Sequence, residues 1–310
     1  MREPIKQDTL DLKLRQTYIG TSEWAVVAGL FSKYKTPYQV WDEKVNGYTP
    51  IDNIRMRLGR DIEPMIAKWV EEDMNVHVAR DGMVRFHPEF DFLATNLDGI
   101  IYHKDGTDAS VFEIKTASTI ARETWGAELP IQYYTQIQGQ MLITGMKKAY
   151  VAILTFGYAG PEKFEIQSYD YNPDFISALL PKLVAFWQDH VATGIPPAPV
   201  NNDDVKSLHP ESNGTGITAN QDLLEKIETL KEVKQTRANA EKLVKEIEVD
   251  IKSIMGDAEW ITDEEDNKLV TWKSGVGRIS FDSKSFKSDN PELYESYTKV
   301  SGPIRTFRIK

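Results

Sequence analysis

Over the first ~200 residues the apolar positions switch repeatedly between a helical period and alternation, which predicts a mixed α/β unit. Ser22 is read as opening a short helix through Trp24, Val27 and Leu30. Thr36-Pro37-Tyr38-Gln39 has the form of a capping box with proline at the first helical position. A third helix carries Ile62, Ile66, Trp69 and Val70 on one face, with Glu63 in its opening turn. Strands are predicted over Phe92 to Tyr102, Ser110 to Thr116, Ala149 to Phe156 and Phe164 to Tyr171, with a helix from Pro130 to Thr144 between the pairs. A helix from Phe175 to Val191 closes the unit.

Beyond it the pattern changes. Gly194 to Gly216 is rich in Pro, Asn, Asp, Gly and Ser and reads as a linker. Leu230, Val233, Ala240, Val244, Ile247, Ile251 and Ile254 then fall at alternating spacings of three and four, interrupted at one seam position by Arg237, and predict one long amphipathic helix. The last ~50 residues mix strand-like runs, Leu269 to Trp272 and Arg278 to Phe281, with a short helix from Pro291 to Tyr297. The expected organisation is a domain over 1–200, a linker over 201–218, a long helix over 219–258 and a small module over 259–310.

Composition narrows the chemistry. In 310 residues there is no apolar run of about 18, and Met1-Arg2-Glu3-Pro4 does not open like a signal peptide, so a soluble intracellular protein with no membrane partner is expected. The absence of cysteine excludes disulfides, zinc-thiolate sites and iron–sulfur clusters, and with five scattered histidines any metal is expected on oxygen ligands. A net charge of -10 excludes coating of nucleic acid by bulk electrostatics, so any DNA groove is local. From Lys268 to Lys310 nine Lys/Arg stand against four Asp/Glu, whereas Asn201 to Asn267 holds eight against seventeen; the chain ends in a basic module.

The most informative stretch is Asn96-Leu97-Asp98-Gly99-Ile100 followed by Phe112-Glu113-Ile114-Lys115, with Asp105-Gly106 between them as a hairpin signal. If Asp105-Gly106 is a two-residue loop, opposed residues have numbers summing to 211 and Asp98 lies across from Glu113; a two-residue slip opposes Asp98 to Lys115 instead. Either register puts all three side chains on one face. Two opposed carboxylates repel, and Mg²⁺ or Mn²⁺ suits such ligands, with the Ile114 carbonyl able to join them. A lysine two residues beyond a ligating glutamate can position or deprotonate an attacking water, or neutralise developing charge. The plain alternative for Glu-x-Lys by itself is a solvated strand face.

Together these residues resemble the PD-(D/E)xK nucleases, and within them the lambda-type exonuclease or YqaJ viral recombinase group, over roughly residues 15 to 156. Arg15, seven residues before Ser22, is similar to the opening motif in which Arg and Ser hold the 5′-phosphate of the degraded strand. Gly59-Arg60-Asp61-Ile62-Glu63-Pro64 resembles the helix glutamate, and Leu97-Asp98-Gly99 with Glu113-Ile114-Lys115 the Asp and Glu-x-Lys ligands. Tyr133-Tyr134-Thr135-Gln136-Ile137-Gln138 resembles the tyrosine and glutamine helix beside the metals. Asn96 stands where some relatives carry Ser, and Arg122 is the nearest counterpart of an arginine that follows the catalytic lysine. The resemblance implies a PD-(D/E)xK core of central mixed sheet and flanking helices, followed by the long helix and a small α+β module.

It further implies a Mg²⁺-dependent 5′→3′ exonuclease, with two ions on Asp98, Glu113, the Ile114 carbonyl and Glu63, assisted by Lys115 and Gln136. Arg15, Ser22, Asn96, Tyr133 and Arg122 would contact the 5′-phosphate or DNA. Implied partners are duplex DNA ends, a single-strand annealing protein and further copies of the chain, a trimeric ring among the options, in the cytoplasm of a bacterial host of a phage or prophage. Two other readings stay open: an endonuclease on the same scaffold, and a binding module whose nuclease site has decayed. For the tail, oligomer contacts or packing, single-strand binding by interleaved aromatic and basic residues, and partner docking also stay open.

Overall fold

The computed structural model describes residues 2–6, 12–47, 53–80, 82–299 and 305–309, side chains of 55 and 56 excepted. It resolves into two compact units, residues 1–208 and 209–310. In chain order the first contains β1 (Ile5–Lys6), α1 (Leu12–Gln16), β2 (Ile19–Gly20), a 3-10 turn (Thr21–Glu23) running into α2 (Trp24–Val27), α3 (Pro37–Val45), α4 (Ile54–Met74), β3 (Val76–Ala79), β4 (Met83–Phe86), β5 (Leu93–Thr95), β6 (Gly99–His103), β7 (Ser110–Ser118), α5 (Thr119–Glu123), α6 (Ile131–Thr144), β8 (Lys148–Phe156), β9 (Pro161–Asp170), α7 (Pro173–Phe186) and α8 (Asn202–Leu208).

The architecture is mixed α/β. A five-stranded sheet of order β3-β6-β7-β8-β9 is antiparallel throughout except for the parallel pair β7 and β8. Alternation along β7 decides what covers each face. Phe112 and Ile114 point into one apolar cluster with Ile66 and Val70 of α4. Val111 points the other way, into a cluster with Ile137 and Met141 of α6 and Val151 and Ile153 of β8. Glu113 and Lys115 share the α6 side. A smaller sheet of order β1-β4-β5-β2 stands beside a third cluster built from α2, α3 and α7.

Local chemistry explains most of the boundaries. Thr36 Oγ1 accepts from Gln39 N at 3.1 Å while Gln39 Oε1 accepts from Thr36 N at 2.9 Å, so the capping box forms as the sequence predicts. α6 stops at Gly145, whose φ of 76° favours glycine.

Other expectations are corrected. The stretch Phe92 to Tyr102 is two strands in different sheets, because the chain leaves the ladder at residues 96–98. Asp105-Gly106 is not a two-residue loop: the turn bond runs from Gly106 N to the His103 carbonyl, and six residues separate β6 from β7. The pairing nonetheless keeps the sum of 211, with Gly99 opposite Phe112 and Ile101 opposite Ser110. Ser22 does not open a helix. It is exposed inside the 3-10 turn, whose cap is Gly20, and Glu23 Oε2 accepts from Gly20 N at 3.0 Å. Glu63 lies mid-helix, since α4 begins nine residues earlier at Ile54. Within the stretch read as a linker, α8 is fastened to the first unit by buried Asp204, which accepts from Thr36 Oγ1 at 2.8 Å.

The second unit holds α9 (Gln221–Met255), β10 (Trp260–Thr262) and β11 (Lys268–Thr271) paired as a hairpin, α10 (Ser283–Asp289) and α11 (Pro291–Tyr297). Arg278 to Phe281 is not a strand, having no partner strand beside it among the described residues. No helix among the described residues is long and apolar enough to cross a membrane.

Candidate active site

Asp98 sits just before β6, where the main chain has turned away from β7. Its Oδ2 accepts from Ile114 N at 2.7 Å, so the carboxylate replaces the carbonyl that a continuing ladder would have supplied. The observed pairing ends at Gly99 opposite Phe112, one step short of the Asp98 and Glu113 pair that the hairpin arithmetic predicts, and Asp98 reaches β7 through its side chain instead. In an extended strand a residue's N–H and C=O point to the same edge, so the Ile114 carbonyl faces the Asp98 side as well.

Glu113 is buried and held from three directions. Its Oε1 accepts from Lys115 Nζ at 2.5 Å and Gln136 Nε2 at 2.7 Å, and its Oε2 from Gln140 Nε2 at 2.6 Å. Lys115 Nζ also donates to Gln136 Oε1 at 3.0 Å and lies 4.7 Å from the centre of the Tyr133 ring. Gln136 and Gln140 are one helical turn apart on α6 and face the strand together. Gln140 went unnoticed in the sequence, although its spacing from Gln136 was a usable signal. Its Nε2 reaches the Asn96 carbonyl too, at 3.3 Å, tying the loop before Asp98 to the helix.

Burial, then the Glu113 charge, pushes the Asp98 carboxyl up to about 8. For Lys115 burial acts downward, but the charges of Glu113 and Asp98 outweigh it and hold the ammonium above its ordinary value. Glu63 enters from α4, on the opposite face of the sheet, and its carboxylate is paired with Arg80, whose Nε also donates to the Asp98 carbonyl at 3.4 Å. Burial raises the Glu63 pKa, against the pull of Arg80. No sequence signal pointed to Arg80.

This donor set fits a divalent cation of the magnesium type: it is all oxygen, and two carboxylates are crowded until one resists ionisation. Asp98 and Glu113 are the residues that would hold such an ion, with the Ile114 carbonyl facing the same side and Glu63 within electrostatic reach of Glu113. Among the described residues no three Asp, Glu, His or Cys side chains already form a closed metal cluster.

The remaining sequence candidates fall into three groups. Tyr133 is brought in, beneath Lys115. Ser22 and Asn96 are exposed, and their chain neighbours are linked by a buried Thr21 Oγ1 to Thr95 Oγ1 bond of 2.8 Å. The 3-10 turn carrying Ser22 packs on α6 so closely that a Cβ on Gly139 would lie 2.6 Å from the Trp24 ring. Exposed Arg15 follows from α1, its carbonyl accepting from Lys44 Nζ at 3.2 Å. Arg122 is not brought in: its Nε and Nη2 grip Glu165 at 3.1 Å each, and its Nη1 donates to the Gly126 carbonyl.

Residues 12–147 match the model of the YqaJ-like viral recombinase domain. The chain is 28% identical over 307 residues to YqaJ of Bacillus subtilis (strain 168), a protein described as uncharacterized, covering 96% of this chain and 92% of that one. The crystal structure of LHK-Exo in complex with dAMP shares 18% identity with a TM-score of 0.50, over 64% of this chain and 95% of its own. A second structure, an alkaline exonuclease (LHK-Exo) from Laribacter hongkongensis, gives 18% identity and a TM-score of 0.49, over 59% and 92%. At 18% identity the structural likeness is one of fold, and the sequence match says what residues 12–147 are similar to, the YqaJ-like viral recombinase domain.

Proposed function

We propose that the first unit is a metal-dependent exonuclease that degrades one strand of linear duplex DNA from its 5′ end during phage-type recombination by single-strand annealing. The observation that carries this reading is the Asp98, Glu113 and Lys115 face with its glutamine helix, inside a recombinase domain whose fold is that of an exonuclease. Mg²⁺, with Mn²⁺ as substitute and two ions in all, would be held by Asp98, Glu113, the Ile114 carbonyl and Glu63. The chemistry supplied by such an ion would be activation of water and stabilisation of the leaving oxygen of a phosphodiester.

The chain's own residues do the rest. Gln136 and Gln140 fix both oxygens of Glu113, so that the carboxylate is aimed before substrate arrives. Lys115, kept in place by Glu113, Gln136 and the Tyr133 ring, presents a positive charge where the scissile phosphate gains negative charge. Arg15 and Ser22 hold the terminal 5′-phosphate, the bond between Thr21 and Thr95 fixing the Ser22 turn relative to Asn96. The partners are duplex DNA ends, a single-strand annealing protein and further copies of the chain, a ring of three around DNA being the form that makes digestion processive. The setting is the cytoplasm of a bacterial host.

The test incubates the protein and Mg²⁺ with linear duplex DNA, each strand labelled internally and the 5′ ends phosphorylated or not, beside covalently closed circles. Loss of the 5′-phosphorylated strand alone, abolished by EDTA, is expected. Cutting of closed circles overturns it in favour of an endonuclease, and inertness on every substrate in favour of a binding module.

A further inference from the structure

We infer that α9 is the docking face for a second copy of this chain, paired antiparallel with its own α9 as a two-stranded coiled coil. The inference stands apart from the nuclease reading. α9 runs 35 residues, about 52 Å at the usual rise. Its outward side is satisfied internally by ion pairs about one turn apart, Lys231 to Glu228 at 2.8 Å and Lys242 to Glu246 at 3.6 Å among them. Its apolar seam is not: Val233, Val244, Ile247 and Ile254 are 59%, 54%, 49% and 83% exposed, at the alternating three-and-four spacing of a coiled-coil interface.

Three features select a copy of the same helix, and its direction. Antiparallel pairing about a two-fold axis near residue 242 sets Val233 against Ile251, Ala240 against Val244, and Arg237 against Ile247. Parallel pairing would instead press two Arg237 guanidinium groups against each other within the seam. Leu243, 56% exposed and just beside the seam, meets the partner's Leu243 only in the antiparallel arrangement; parallel pairing faces it with the partner's Glu248. The antiparallel flank also brings Lys234 to the partner's Glu248, twice by symmetry, against one facing pair of Glu241. Opposed helix dipoles add in the same direction.

The chain has no cysteine, so single cysteines report the geometry without background. In the full-length protein under mild oxidation, Leu243→Cys is expected to form a disulfide-linked dimer as its main product, while Ala240→Cys, which would meet its own copy only in a parallel pair, stays unlinked. By sedimentation, Val244→Glu with Ile247→Glu is expected to halve the mass of the wild-type assembly, with helix content by circular dichroism and any cleavage of DNA retained. An unlinked Leu243→Cys protein, cross-linking through Ala240→Cys instead, or a wild-type mass unchanged by the double substitution overturns the inference.

Discussion

The first unit buries two groups of charges, and they are balanced in opposite ways. At the sheet, Asp98, Glu113 and Glu63 face Lys115 and Arg80, and burial together with the neighbouring Glu113 drives Asp98 up to about 8. Behind the 3-10 turn, the carboxylate of Glu23 meets two ammonium groups, Lys44 at 2.7 Å and Lys35 at 3.4 Å, the latter shared with Glu43 at 2.5 Å. Burial there acts upward on Glu23, but both lysines outweigh it and hold the carboxyl below its ordinary value. The second group is complete as it stands. Lys44 uses a further donor on the Arg15 carbonyl, and Glu23 caps the turn through Gly20, so the pair fastens α1, α3 and the turn together. The first group crowds its carboxylates until Asp98 resists ionisation, and that is the setting in which the proposed cation would relieve the repulsion.

This contrast can be broken by substitution. Asp98→Asn removes charge but keeps an acceptor for Ile114 N, so it is expected to abolish DNA cleavage in a gel assay while leaving the melting temperature of the metal-free protein unchanged or higher. Glu23→Ala leaves Lys44 buried without its partner and is expected to cost about 3–5 kcal/mol in denaturant titration, with Glu23→Leu and Lys44→Met together costing less.

The acid limb sharpens the second case. The folded pKa of Glu23 lies below its unfolded value near 4.5, so the unfolded chain binds more protons through this range. Its contribution is full above that value and is lost as pH falls through the folded pKa. The melting-temperature gap between wild type and Glu23→Gln is therefore expected to close in acid. Gly139→Ala drives a methyl into the Trp24 ring and is expected to cost about 1–3 kcal/mol, with a lower rate of cleavage because Gln136 and Gln140 shift with α6. The smallest effect is expected for Arg122→Ala, about 1 kcal/mol or less with cleavage retained, since its fork is already closed on Glu165.

The candidate face was legible in the sequence because strands have a strict period of two, which puts Glu113 and Lys115 on one side of β7, and Asp98 joins them from the bend just before β6. The Asp105-Gly106 signal misjudged the loop and still gave the register, since pairing ends earlier along the same diagonal. Long-range contacts were not legible. The pairing of Glu63 with Arg80, Glu23 with Lys44 and Arg122 with Glu165 joins residues from separate elements, and no spacing rule announces them. The Ser22 reading failed for a local reason: a serine before an apolar run has the form of a cap, yet the acceptor that closes this turn is one residue later, in Glu23.

The bond from Ile114 N to Asp98 gives position 98 two duties, one chemical and one architectural. A relative without the proposed activity would still need an acceptor there to keep β7 seated, and Asp or Asn would persist under selection for folding alone. Glu113 and Lys115 have no such second duty to the main chain. Under the proposed function, loss of those two is therefore what would mark a silent relative, while an aspartate at position 98 would testify only that the sheet is intact.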